Sequence, residues 1–140
     1  MATIDRRITG KFRSNVRTMA AMLLIIVGCS AVVAGYEFVA DPTGQSMHIG
    51  SQYLLYSPFD SYLIPGILLL VFNGIFNLIC AWFLFRRFRQ GPNFLMFQGA
   101  ILSIWIVTEI AIMRDFNLLH VLCLCIGLFF LFTGNWIRFK

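Results

Sequence analysis

Four long runs in this chain are predominantly apolar, and its charges fall almost wholly in the short segments between them. Followed out to the flanking charges and prolines, the runs predict membrane spans over about residues 18–40, 62–85, 93–113 and 118–137. At about 1.5 Å of rise per residue, each is long enough to cross roughly 30 Å of hydrocarbon. The third and fourth runs are joined only by Arg114-Asp115-Phe116-Asn117, which is short enough to force antiparallel neighbours. The expected fold is therefore all-α: an integral membrane, antiparallel four-helix bundle with an outer loop over 41–61 between its first two spans.

The punctuation between runs agrees with this division. Asp41-Pro42-Thr43-Gly44 ends the first helix, because proline fixes φ and cannot donate, while glycine permits the positive φ of a turn. Residues 51–61 carry Tyr53, Leu54, Leu55, Tyr56 and Phe59 but are too few to span. They are expected to lie in the outer interface as a loop or short helix, with tyrosine rings in lipid and hydroxyls in water. Ser57-Pro58 breaks that segment, and Ile64-Pro65-Gly66 opens the second span, where proline is tolerated in the first turn.

Composition gives the solvent. With 59% hydrophobic and 12% charged residues in 140, the chain has too few polar side chains to wrap a core of that size in water, so lipid must cover most of its surface. The net charge of +5 does not point to nucleic acid, since the basic residues sit in short blocks rather than along a polar groove with stacking aromatics. They set the topology instead. Arg6, Arg7, Lys11, Arg13 and Arg17 in a tail over 1–17, Arg86, Arg87 and Arg89 in the central turn, and Arg138 and Lys140 at the end all fall on one side; only Arg114 falls on the other. Both termini are thus expected in the cytoplasm and the long loop outside. Ile8 and Phe12 of the tail are placed against anionic headgroups, Trp82, Phe88 and Trp136 at the inner interface, and Tyr36, Tyr53, Tyr56 and Tyr62 at the outer one.

A basic start followed by Leu24-Ile25-Ile26-Val27-Gly28-Cys29 has the look of a lipoprotein signal. After a lipidated cysteine a polar tether is expected, whereas Ser30 to Val39 continues the apolar helix, which favours an uncleaved first span. Cys29, Cys80, Cys123 and Cys125 all lie inside apolar runs and read as free thiols. The Cys123-x-Cys125 pair points about 200° apart on a helix and cannot jointly hold a metal. No metal site, cofactor or catalytic residue is assigned, because no phosphate loop, zinc spacing or activated nucleophile is present.

Each span carries small or polar residues at helical spacing: Gly66, Asn73, Asn77 and Ala81 in the second; Gln98, Trp105 and Glu109 in the third; His120, Cys123, Gly127 and Gly134 in the fourth. The first offers two faces, one with Ser30, Ala34 and Glu37 and a nearly opposite one with Gly28, Ala31 and Gly35. Polar stripes are expected to meet inside the bundle, since a lipid-facing Asn or Glu lacks partners. Glu37, Glu109 and His120 then fall in one layer beneath a loop bearing Asp41, His48 and Asp60, giving an outward-facing pocket of Glu37, Asp41, Asp60, Glu109 and His120. Asn73, Asn77 and Trp105 make the polar interior.

Plainer roles compete with that pocket. Glu109 is placed to pair with Arg114, Glu37 to reach water, His120 to cap a helix or hold a loop carbonyl, and the asparagines to glue helices together.

Asp41-Pro42-x-Gly44, Ser57-Pro58-Phe59, Tyr62-Leu63-Ile64-Pro65-Gly66 and Trp105-x-x-x-Glu109 together resemble a group of small, largely uncharacterised bacterial four-span membrane proteins. The resemblance runs from the first span onward. It implies an uncleaved inner-membrane protein and carries no activity with it. The leading expectation is a non-enzymatic protein that docks a partner or binds a small ligand under the loop, as a homo-oligomer or beside another membrane protein. The alternative is a proton- or cation-coupled carrier working as an oligomer, with Glu37, Glu109 and His120 as relay. A lipid-headgroup enzyme with Glu109 or His120 as general base is a third reading.

Overall fold

The computed structural model describes residues 2–139, and side chains from residue 7 onward. Arg6 and Lys140, placed by charge above, and Asp5 beside Arg6 have no described side chains. Four long helices and one short turn of helix make the architecture: α1 (Ala2–Ala40), a 3₁₀ turn (Ser51–Leu54), α2 (Leu63–Phe85), α3 (Gly91–Met113) and α4 (Leu118–Phe139). All four long helices have the length and hydropathy to cross a membrane. The chain is therefore a multi-pass membrane protein with an all-α, four-helix bundle fold.

Each helix packs on its neighbours in sequence, α1 on α2, α2 on α3 and α3 on α4, and α4 returns to α1. One end of the bundle carries the 41–62 connection and the α3–α4 turn, and is called the loop end below. The other carries the arginines. The apolar core is built from Ala20, Ala21 and Leu24 of α1, Cys80, Ala81 and Leu84 of α2, Leu95, Leu102 and Ile106 of α3, and Phe130 of α4. Outward-facing Ile26, Val33, Phe72, Ile104, Leu122 and Phe132 stay uncovered, as suits helices whose outer solvent is lipid.

Small residues set the closest approaches. A Cβ on Gly35 would lie 2.8 Å from the Leu70 amide nitrogen and 2.9 Å from the Gly66 carbonyl oxygen, so α1 and α2 touch backbone to backbone. A Cβ on Gly99 would lie 2.6 Å from the Gly127 carbonyl oxygen, and the α3–α4 crossing is equally tight. The face of α1 that packs is therefore the one with Gly28, Ala31 and Gly35. Ser30 on the other face is exposed and returns its hydroxyl to the Ile26 carbonyl, 2.9 Å away, so the expectation that this polar face turns inward fails. Where lipid is the outer solvent, close backbone packing decides which face goes in, and a serine can satisfy itself on its own helix.

Two further departures concern helix geometry. The basic tail is helical and continuous with the first span: α1 runs unbroken from Ala2. Its first turns pack on the bundle through Phe12, whose ring meets Trp136 edge-on with centroids 5.8 Å apart, and through Arg13, which donates to the Ile137 carbonyl at 2.8 Å. In α2 the segment Leu69–Ile75 is a wide π turn, in which Phe76 N–H reaches back five residues to the Val71 carbonyl. It lets Asn73 and Gly74 both face inward.

Candidate functional site

The loop end is held by a few polar contacts. The Asp41 carboxylate accepts from the Thr43 amide (3.1 Å) and hydroxyl and from the Ser46 amide (2.8 Å), closing the turn after α1. These donors hold its pKa below the ordinary carboxylate value. Tyr62 then pins the connection: its ring stacks on Phe38 at 5.0 Å, its amide donates to the Pro42 carbonyl, and its hydroxyl donates to the Gly50 carbonyl at 2.9 Å. At 2% exposure Tyr62 is a buried clamp rather than the interfacial ring expected of it. Tyr56, by contrast, is exposed and lies under the Arg114 guanidinium, 4.1 Å from ring centroid to carbon, which ties the loop to the α3–α4 turn.

Beneath this connection the loop-end halves of α2 and α3 border a cavity of about 180 Å³. Phe38, Tyr53, Leu54, Phe59, Tyr62, Pro65, Leu68, Leu69, Trp105, Ile112 and Met113 supply its walls, with Ser57 and Thr108 as the neutral polar contributions. Its one carboxylate is Glu109, and no basic side chain lines it. The cavity is slightly larger than the roughly 150 Å³ hole that takes up benzene in an engineered protein core, so it fits one ring or a short branched chain.

Behind Glu109 stands His120, buried at the start of α4. Asn117 caps that helix, its Oδ1 accepting from the amides of Leu119 (3.0 Å) and His120 (3.3 Å), and the imidazole Nδ1 accepts in return from the Asn117 amide (3.3 Å). This is the reciprocal capping box with histidine in the place usually held by Glu or Gln. Because Nδ1 is an acceptor, the neutral ring carries its proton on Nε2. Nε2 lies 4.0 Å from Glu109 Oε2, an ion-pair distance rather than a direct hydrogen bond; the Glu109 side chain is 30% exposed and that of His120 8%.

The structure thus brings Glu109 and His120 together and puts Trp105 in the same cavity wall. It does not bring the other proposed members to them: Glu37, Asp41 and Asp60 are not among the cavity's lining residues, and Asp60 is exposed on the loop. Asp41 is engaged in its own turn. Arg114 stacks on Tyr56 instead of pairing with Glu109. The sequence placed the loop over the pocket but read its Tyr53–Phe59 segment as interfacial, and so missed that Tyr53, Leu54 and Phe59 give the cavity an apolar lining.

About three helical turns further along α3 from Glu109 lies Gln98, on nearly the same face. Its Nε2 donates at 3.2 Å to the Phe72 carbonyl in the wide turn of α2, while Asn77 Nδ2 donates at 2.6 Å to the Asn73 carbonyl. Asn73, Asn77 and Gln98 are all buried, and both side-chain polar atoms of Asn73, Oδ1 of Asn77 and Oε1 of Gln98 find no partner within the protein. Among the described residues, no three His, Cys, Asp or Glu side chains are grouped so as to hold a metal ion. The chain matches no protein-family model, no curated protein and no solved structure.

Proposed function

We propose that this chain is a binding protein of the bacterial inner membrane, with both termini in the cytoplasm, that takes up a small lipophilic molecule carrying one cationic or strongly hydrogen-bond-donating group. The observation that carries this reading is the pairing of an otherwise apolar cavity with a single carboxylate, Glu109, whose own neighbour is a neutral-capable imidazole. An apolar wall supplies affinity in proportion to buried area, and one fixed polar group supplies orientation. The roof over 53–59 closes the end away from the bilayer centre, which favours entry sideways between α2 and α3. The charge distribution supports the orientation, and the resemblance to four-span bacterial proteins supports the membrane.

The test uses Trp105 as reporter, in full-length protein with Trp82→Phe and Trp136→Phe. A brominated lipophilic amine is expected to quench Trp105 at lower concentration than a neutral analogue of the same apolar shape, and Glu109→Gln is expected to remove the difference. Equal quenching by both probes, or a difference that survives Glu109→Gln, overturns the assignment.

A carrier for protons or cations, working as an oligomer, has one observation of its own. The carboxamides of Asn73, Asn77 and Gln98, each with at least one atom lacking a partner, continue the α2–α3 seam toward the membrane middle from Glu109. Proteoliposomes that show no flux driven by pH or voltage remove this second reading.

A further inference from the structure

The arginine end of the bundle holds a recess of about 660 Å³, distant from the Glu109 cavity and sharing no lining residue with it. Five guanidinium groups line it from three separate parts of the chain: Arg13 and Arg17 of α1, Arg87 and Arg89 of the α2–α3 turn, and Arg138 of α4. Among the described residues, no carboxylate lines it. The described acidic side chains, Glu37, Asp41, Asp60, Glu109 and Asp115, all lie at or near the loop end. Cations gathered this way repel one another unless an anion sits among them.

Three of the five are held in place from behind. Arg13 donates to the Ile137 carbonyl at 2.8 Å, Arg17 to the carbonyls of Leu84 (3.1 Å) and Phe88 (3.4 Å), and Arg87 to the Ser14 hydroxyl at 3.0 Å. A guanidinium has five N–H donors, so each retains several for a ligand, and its planar fork matches phosphate oxygens.

The backbone supports the same reading. Arg87 has φ of 55°, and the amides of Arg87 and Phe88 donate to the carbonyls of Leu84 and Phe83, closing α2 with a Schellman turn. The left-handed position of that turn is ordinarily filled by glycine. An arginine held there points to a task for its side chain.

Next to the recess, across the Arg13 guanidinium that lies 6.0 Å from the Trp136 ring, runs an apolar groove of about 590 Å³ between α1 and α4. Phe12, Val16, Phe132, Trp136 and Phe139 line it. A phosphate recess adjoining a groove suited to hydrocarbon chains fits a lipid better than a soluble phosphate.

We propose that the arginine end is a discrete binding site for an anionic phospholipid, its phosphate headgroup in the five-arginine recess and an acyl chain along the Phe12–Trp136 groove. This is more than general attraction to a negative membrane, because it assigns particular arginines and a stoichiometry of one.

Native mass spectrometry of the full-length protein tests it, with a phospholipid bearing two phosphates set against a zwitterionic one of the same chains. One doubly charged lipid is expected to stay bound about tenfold more strongly than the zwitterionic one, equivalent to about 1.4 kcal/mol. Arg89→Gln with Arg138→Gln, neither of which anchors a backbone carbonyl, is expected to lower retention about tenfold at unchanged folding. The control, Arg7→Gln with Arg86→Gln, removes the same charge outside the recess and is expected to leave retention within about twofold. Equal losses in the two variants, equal retention of the two lipids, or displacement of the bound lipid by millimolar inorganic diphosphate would each overturn the proposal.

Discussion

His120 does two things from one ring: Nδ1 completes the cap of α4, and Nε2 faces Glu109. The two roles separate by substitution. Gln restores a side chain that can reach back to the cap, whereas Ala cannot. His120→Ala is expected to lower stability by about 0.5–2 kcal/mol, and His120→Gln by a few tenths, in thermal unfolding of detergent-solubilised protein. Arg87 gives the opposite case. Because glycine relieves a left-handed backbone, Arg87→Gly is expected to hold or raise the melting temperature, and a fall would show that the Ser14 contact outweighs the backbone term. Asp41 predicts a pH response. Its folded-state pKa lies below the unfolded value, so its contribution is present above about pH 4 and is lost as pH falls through the lower folded value. The protection factors of the Thr43 and Ser46 amides, taken against intrinsic exchange at each pH, are expected to fall on acidification below that range and to hold above it. Asp41→Asn should abolish the pH dependence.

At the scale of elements, the four spans were legible because hydropathy alone sets where a helix meets lipid. The expected ends of the second and third spans, near 62, 85, 93 and 113, lie within two residues of the helices observed. The rotation of the first helix about its axis was not legible. The stripe of Gly66, Asn73, Asn77 and Ala81 is buried as its spacing suggested, but what it meets on α1 is the small face, since Gly28 abuts Asn77 and Gly35 abuts Gly66. Polarity argued for the Ser30 face; close packing outweighed it. The wide turn of α2 was hidden for a related reason, because one extra residue per turn leaves no mark on composition. It sets the phase of Pro65, Leu68 and Leu69 in the cavity relative to Cys80 and Leu84 in the core. Deleting Val71 is expected to rotate the outer part of α2 by roughly 100° and abolish amine-dependent quenching of Trp105 while α3 and α4 stay packed. The α3–α4 crossing gives a direct check on the packing argument: Gly99→Ala or Gly127→Ala is expected to cost about 1–3 kcal/mol in unfolding assays, far beyond the usual gain from helix propensity.

Among the described residues, chemistry is divided between the ends: every arginine but Arg114 at one, the carboxylates and the apolar cavity at the other. The site read from sequence as a ring of acids shrank to Glu109 and His120, because sharing a depth in the membrane does not make side chains share a pocket. Orientation can be measured directly. In a cysteine-free background, Ser46→Cys is expected to react with a membrane-impermeant thiol reagent added to intact cells, and Gln90→Cys only after lysis; the reverse pattern would invert the topology. Between the two ends runs α1, 39 residues without a break. Arg13 borders one chamber and Phe38 the other, some 37 Å apart on a single rigid axle. A rotation of α1 imposed at Arg13 is therefore expected to carry along the shaft and displace the Phe38 wall of the far chamber.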